Sequence, residues 1–254
     1  MNSVRAMFKK PKVQILLLLG LLAIIRIVSS VDAPEKLILL TTTLLSALFT
    51  EWALFGSVKS TALQSAAITG GIIGILMAPG GDLLPAWTAT LLAIASKRWI
   101  HFPKTKKHIF NPAALGLALS ILLFGNRINW WGNTMPILII CAGGFILFRL
   151  HRLALPFSYI LVRTATAILL GGVGTLHTAL LLPNLCFAFI MLVEPKTSPG
   201  KRTEQWVFGG LCGLLATLAY RFIPAFEGDL LALLTLNLLR PQLARLIHQK
   251  KDAS

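Results

Sequence analysis

The chain is a succession of uninterrupted apolar runs, such as 13–25 and 37–49, set between short polar or basic segments. In hydrocarbon a backbone must satisfy its own hydrogen bonds, which leaves helices or a closed barrel. Barrel strands are short and alternate apolar with polar residues. These runs are continuous, so helices are the expectation. Charged residues make up 13% of the chain, against about 25% in a soluble domain. A mean hydropathy of +0.76 leaves little room for a water-soluble domain. The fold class expected is therefore an all-α integral membrane protein with about ten transmembrane helices. They fall roughly at 13–30, 37–56, 62–78, 83–96, 110–125, 134–148, 154–173, 176–193, 205–222 and 228–246. Several are shorter than the ~20 residues of a full span, as in broken or re-entrant helices around a mid-membrane site. Arg240 and Pro241 interrupt the last run.

Charge sets the orientation. The net charge of +15 raises nucleic acid as a partner only if the basic residues form a soluble face. Here they gather in loops on one side, so the partners expected are membrane lipid and other membrane proteins, not nucleic acid. With the N-terminus inside, the inside segments hold most of the 24 lysines and arginines, with clusters at Lys9–Lys12, Lys97–Lys107, Lys196–Arg202 and Arg240–Lys251. The outside loops hold Lys36, Arg127 and Arg221. By the positive-inside rule both termini of a multi-pass membrane protein are expected in the cytoplasm. The basic start and apolar run of Met1 to Val31 mimic a signal peptide, but no clear A-x-A cleavage site follows, so an uncleaved first span is expected.

Ten spans divide into five per half, 1–130 and 131–254, within one polytopic domain. Odd-numbered halves would be inverted relative to each other, a plan shared by many transporters. An apolar run ends at Pro79 in the first half and at Pro195 in the second; each is followed by a tryptophan, Trp87 and Trp206. Cys141, Cys186 and Cys212 lie in apolar runs without a CxxC pair, and the histidines are scattered, so neither disulfides nor a metal site is expected.

Three segments depart from plain lipid-facing helix. In 64–87, Ser65, Thr69, Gly70, Gly71 and Gly74 form a small-residue face, which suits close helix packing as well as it suits a ligand. In 107–118, Asn111–Pro112 reads as a capped helix start; its free N–H groups would equally face an anionic or carbonyl-bearing ligand. In 189–210, Glu194 and Pro195 close an apolar run, either as a plain loop or as part of a site. Ionisable residues in or near spans are costly and often functional; Arg26, Glu51, Arg163 and Glu194 are the ones here. Glu51 and Glu194 lie near span ends, where snorkelling is the simpler explanation.

The order of these segments resembles the RnfD/NqrB family, membrane proteins of the Rnf and Nqr electron-transport complexes. It runs S-x-x-x-T-G at Ser65, Thr69 and Gly70, then Pro79, then P-x-W at Pro85 and Trp87. A basic loop leads to F-N-P-A at Phe110, Asn111, Pro112 and Ala113. E-P-x-T-S-P follows at Glu194, Pro195, Thr197, Ser198 and Pro199, then W-x-F-G at Trp206, Phe208 and Gly209, with Leu214 beyond. The resemblance covers 60–120 and 185–245. It implies a urea-transporter-like, inverted-repeat core of a complex that couples electron transfer to sodium-ion or proton translocation, with other Rnf/Nqr-type subunits as partners. Such a chain is one component of a translocase or oxidoreductase and is not active alone. Family members carry FMN on a threonine of an S-G-A-T-like sequence. No such sequence occurs here; the connection between the fifth and sixth spans is only Asn126 to Asn133, and Thr164 and Thr166 lie in a span without the motif. No covalent FMN site is therefore assigned; the cofactor that the resemblance still implies is a non-covalent flavin, FMN or riboflavin. Ser65, Thr69, Asn111, Pro112, Glu194 and Thr197 are the candidate residues for a flavin or ion centre. The missing loop favours a second reading, a stand-alone inverted-repeat transporter or channel without a redox role; a membrane scaffold with no site of its own is a third.

Overall fold

The computed structural model describes residues 10–56, 59–102, 107–171, 184–223 and 226–252. Among them the chain is helical, and helices stand at the ten expected places. We number them α1 (Pro11–Val28), α2 (Ala33–Phe55), α3 (Ser60–Leu76), α4 (Leu84–Trp99), α5 (Pro112–Phe124), α6 (Pro136–Arg149), α7 (Ala154–Gly171), α8 (Phe187–Met191), α9 (Arg202–Phe222) and α10 (Gly228–Asp252). The eighth expected span begins outside the described residues; α8 is its described part. Prolines open α1, α2, α4, α5 and α6 at Pro11, Pro34, Pro85, Pro112 and Pro136, where the missing N–H costs nothing. Pro241, expected to interrupt the last span, lies inside an unbroken α10. It forfeits one bond, to the carbonyl of Asn237, while the turns on either side hold the helix.

Among the described residues four helices are long and apolar enough to cross a membrane: α1, α2, α7 and the Gly228–Gln249 part of α10. The 13 residues of α5 rise about 20 Å at 1.5 Å per residue, short of a ~30 Å hydrocarbon core. Leu17, Leu21, Ile24 and Val28 of α1 and Phe157, Leu161 and Leu169 of α7 are exposed along single helix faces. Apolar stripes of this kind require a non-aqueous surrounding. The molecule is a membrane protein.

The chain divides into two compact units, Met1–His101 with Pro112–Ile146, and Phe102–Asn111 with Leu147–Ser254. In the first, α2 packs on α3 and α4, and α4 on α5. The connector after α5 folds back over the end of α3. The last carbonyls of a helix have no partner within it, and here the connector supplies them: Trp131 Nε1 donates to the Gly74 carbonyl at 2.9 Å, and the Asn129 and Trp130 amides to that of Leu76 at 2.8 and 3.1 Å. Trp130 adopts a left-handed φ of 52° to make this turn, a conformation uncommon outside glycine.

In the second unit α9 packs against α7 and α10. Gly209 and Gly213 lie one turn apart on α9; side chains there would run into the backbone carbonyls of Leu155 and Tyr159 on α7. This is close helix approach through small residues. Gly209→Ala is expected to destabilise the protein by about 1–3 kcal/mol through overpacking, read as loss of folded protein in detergent on denaturant titration. Gly20→Ala, where a methyl group meets open space, serves as the matched control and is expected to cost nothing.

Candidate functional site

The site in the second unit grows out of Pro195. A proline has no N–H, so the carbonyl four residues earlier, on Met191, loses its helical partner. Two donors take that place: the Glu194 amide N–H at 3.3 Å and Asn111 Nδ2 at 3.1 Å. Just before it, α8 is wound as a π-helix, with the Leu192 amide donating to Phe187 O at 2.9 Å. Single π turns of this kind cluster at functional sites. Beyond it the chain closes a tight turn on Glu194: its carbonyl accepts from the amides of Thr197 (3.2 Å) and Ser198 (3.0 Å) and from Ser198 Oγ (2.7 Å). Thr197 Oγ1 donates to the Glu194 carboxylate at 3.2 Å.

Asn237, fully buried in α10, fixes this turn against the segment that carries Asn111. Its Oδ1 accepts the Asn111 amide N–H at 2.7 Å, and its Nδ2 donates to the Thr197 carbonyl at 3.3 Å. Arg152 adds a third tie, donating to Ser198 Oγ at 2.6 Å. Arg240 donates to the Lys196 carbonyl at 2.8 Å, and Lys196 Nζ stands 3.2 Å from His108 Nε2. Burial pushes the Arg152 guanidinium down from its ordinary value, and the charge of Arg240 adds to that.

Of the candidate residues, Asn111, Glu194 and Thr197 therefore meet in one hydrogen-bonded cluster. Pro112 is the first residue of α5. Ser65 and Thr69 lie on α3 of the first unit. Thr69 Oγ1 donates back to Ser65 O at 3.0 Å, and Lys97 Nζ reaches Ser65 O at 3.2 Å. Beside them, side chains at Gly70 or Gly74 would strike Thr43 and Leu40 of α2, so these two glycines serve helix packing. Glu51 is buried on α2, with its Oε2 lacking a hydrogen-bond partner among the described residues.

Arg163, flagged by its place in a span, pairs with Asp229, which is wholly buried at the start of α10. Tyr159 Oη donates to Asp229 Oδ1 at 2.7 Å and Tyr220 Oη to its Oδ2 at 3.3 Å. Neither Asp229 nor Asn237 stood out in the sequence. For Asn237 a signal exists: it is the lone amide in the apolar run Leu233–Leu239.

No curated protein matches the chain. The sequence model of the NQR2, RnfD, RnfE family matches residues 120–252, just over half of the 254. The match takes in α7, α9, α10, the Glu194 turn and both buried partners on α10. The chain belongs to the NQR2, RnfD, RnfE family.

Proposed function

We propose that the chain is the membrane component of an Rnf/Nqr-type complex that couples electron transfer to translocation of sodium ions or protons. The observation that carries this reading is the Glu194–Pro199 turn: the family-like motif folds into a built cluster, tied by Asn111, Asn237 and Arg152. In this reading the protein crosses a bacterial inner membrane ten times in two inverted five-helix halves, with both termini in the cytoplasm. The basic loops support that orientation. Partner subunits supply the electron donor, because this chain has neither a GxGxxG sequence nor paired cysteines.

A non-covalent flavin is the redox group of the proposal. When bound, it would pass electrons singly or in pairs through its ring system. Asn111 and Thr197 direct polar atoms into the turn itself, so they position it. Glu194, half-buried, carries the only carboxylate of the turn and is the residue assigned to meet an ion or a ring N–H. Glu194→Gln keeps the acceptor for Thr197 while removing the charge. In the complex isolated with its native partners, it is expected to lower ion-coupled electron transfer at least about tenfold, the worth of roughly 1.4 kcal/mol, while leaving the folded yield intact. Unchanged coupled activity would sink the assignment. Isolation from native membranes tests the reading as a whole: co-purifying subunits and a flavin spectrum are expected. A colourless protein that migrates alone would favour the second reading, a stand-alone transporter or channel. The short connector closed over α3 is the observation on that side.

A further inference from the structure

We infer that the second unit holds a site for a phosphate-bearing anion, between Arg152 and Arg240. A cleft of about 650 Å³ opens there, lined by Phe102, Lys107, the Pro195–Gly200 turn and Pro241. Both guanidinium groups are held in place by neutral acceptors of that one turn: Arg152 by Ser198 Oγ at 2.6 Å and the Val193 carbonyl at 3.4 Å, Arg240 by the Lys196 carbonyl at 2.8 Å. Arg240 also lies over the Phe102 ring, 5.8 Å from its centroid. Neither arginine forms an ion pair with a carboxylate among the described residues.

The carboxylates nearby are already engaged. Glu204 lines the same cleft; its Oε1 faces His248 Nε2 at 3.0 Å, and its charge also acts on Arg240. Glu194 accepts from Thr197. Two guanidinium groups thus share a half-enclosed cleft with one carboxylate, and like charges brought together out of bulk water repel unless a counter-charge joins them. Two preset guanidinium groups suit the oxygens of a phosphate, which they hold in forked pairs of charge-assisted hydrogen bonds. The ligand class is a phosphate ester or anhydride. A soluble phosphate compound and a phospholipid headgroup offer the same chemistry. The site stands apart from the redox reading and does not depend on it.

The test uses the full chain in discs of phosphatidylcholine, with thermal unfolding followed by tryptophan fluorescence. One arm adds inorganic pyrophosphate; the other replaces part of the lipid with phosphatidylglycerol. A ligand that binds only the folded state raises the midpoint. At least one arm is expected to raise it for the wild type, and the responding arm identifies the source. R152Q/R240Q is expected to abolish the rise. R245Q removes the same kind of charge from an exposed place on α10 and is expected to retain it. If the double variant fails to accumulate, R240Q alone carries the comparison and is expected to reduce the rise. No rise in either arm, or equal loss in R245Q, overturns the site.

Discussion

Asp229→Asn is expected to cost about 3–5 kcal/mol of stability, the cost of leaving one partner of a buried ion pair uncompensated. Asp229 is fully buried and Arg163 nearly so. The guanidinium lies between two aromatic rings, 5.0 Å from the centroid of Tyr220 and 5.5 Å from that of Tyr159. With the carboxylate gone, its charge has only neutral acceptors to meet, the amide oxygen that replaces it and the phenol oxygens of Tyr159 and Tyr220. Arg163→Met is expected to cost a similar amount, by stranding Asp229. Arg163→Met/Asp229→Leu is expected to recover most of the loss, since apolar replacements of a buried pair are often neutral. Denaturant titration of the wild type, Arg163→Met, Asp229→Leu and the double variant in one detergent gives the coupling energy. If the two single losses simply add, the pair is not coupled and this account of the cluster fails.

The helices were legible in the sequence because each is an apolar run bounded by a proline, a basic loop or both. Their edges were less so. α2 begins at Ala33, not 37, because Pro34 fits a first turn. The site was half legible. Glu194, Thr197 and Asn111 stood in recognisable motifs, and Pro195 explains the place of Asn111: with the Glu194 amide it replaces an N–H that proline lacks. Arg163 was visible as a charge in a span, yet its partner was not, because Asp229 sits at a helix start where a carboxylate is ordinary. Small residues at helical spacing fit packing and ligand binding alike; the approach of α2 shows packing at Gly70 and Gly74 and says nothing of Ser65 and Thr69. The cleft between Arg152 and Arg240 joins residues 88 positions apart in sequence, which no local pattern can disclose.

Asn237→Leu is the second large effect expected, about 2–6 kcal/mol. Leucine nearly preserves volume but leaves two buried backbone groups, the Asn111 N–H and the Thr197 carbonyl, without partners, at about 1–3 kcal/mol each. The loss should be concentrated in the Glu194–Pro199 turn, so cleavage there by a protease is expected to rise before global unfolding does. Asn237→Asp keeps the acceptor for Asn111 but loses the donor to Thr197 and buries a charge, so it is expected to be at least as damaging. A leucine variant as stable and as protease-resistant as the wild type would show that Asn237 does not hold the turn. Asp229 and Asn237 share α10 but lie about 12 Å apart along its axis, and their partners do not overlap. Their losses should therefore add to within about 0.5 kcal/mol. Additivity would mean that α10 carries two independent anchors, the charged one fastening it to α7 and α9, the amide one setting the family's turn. A coupling well above that value would mean that the buried ion pair and the turn respond as one element.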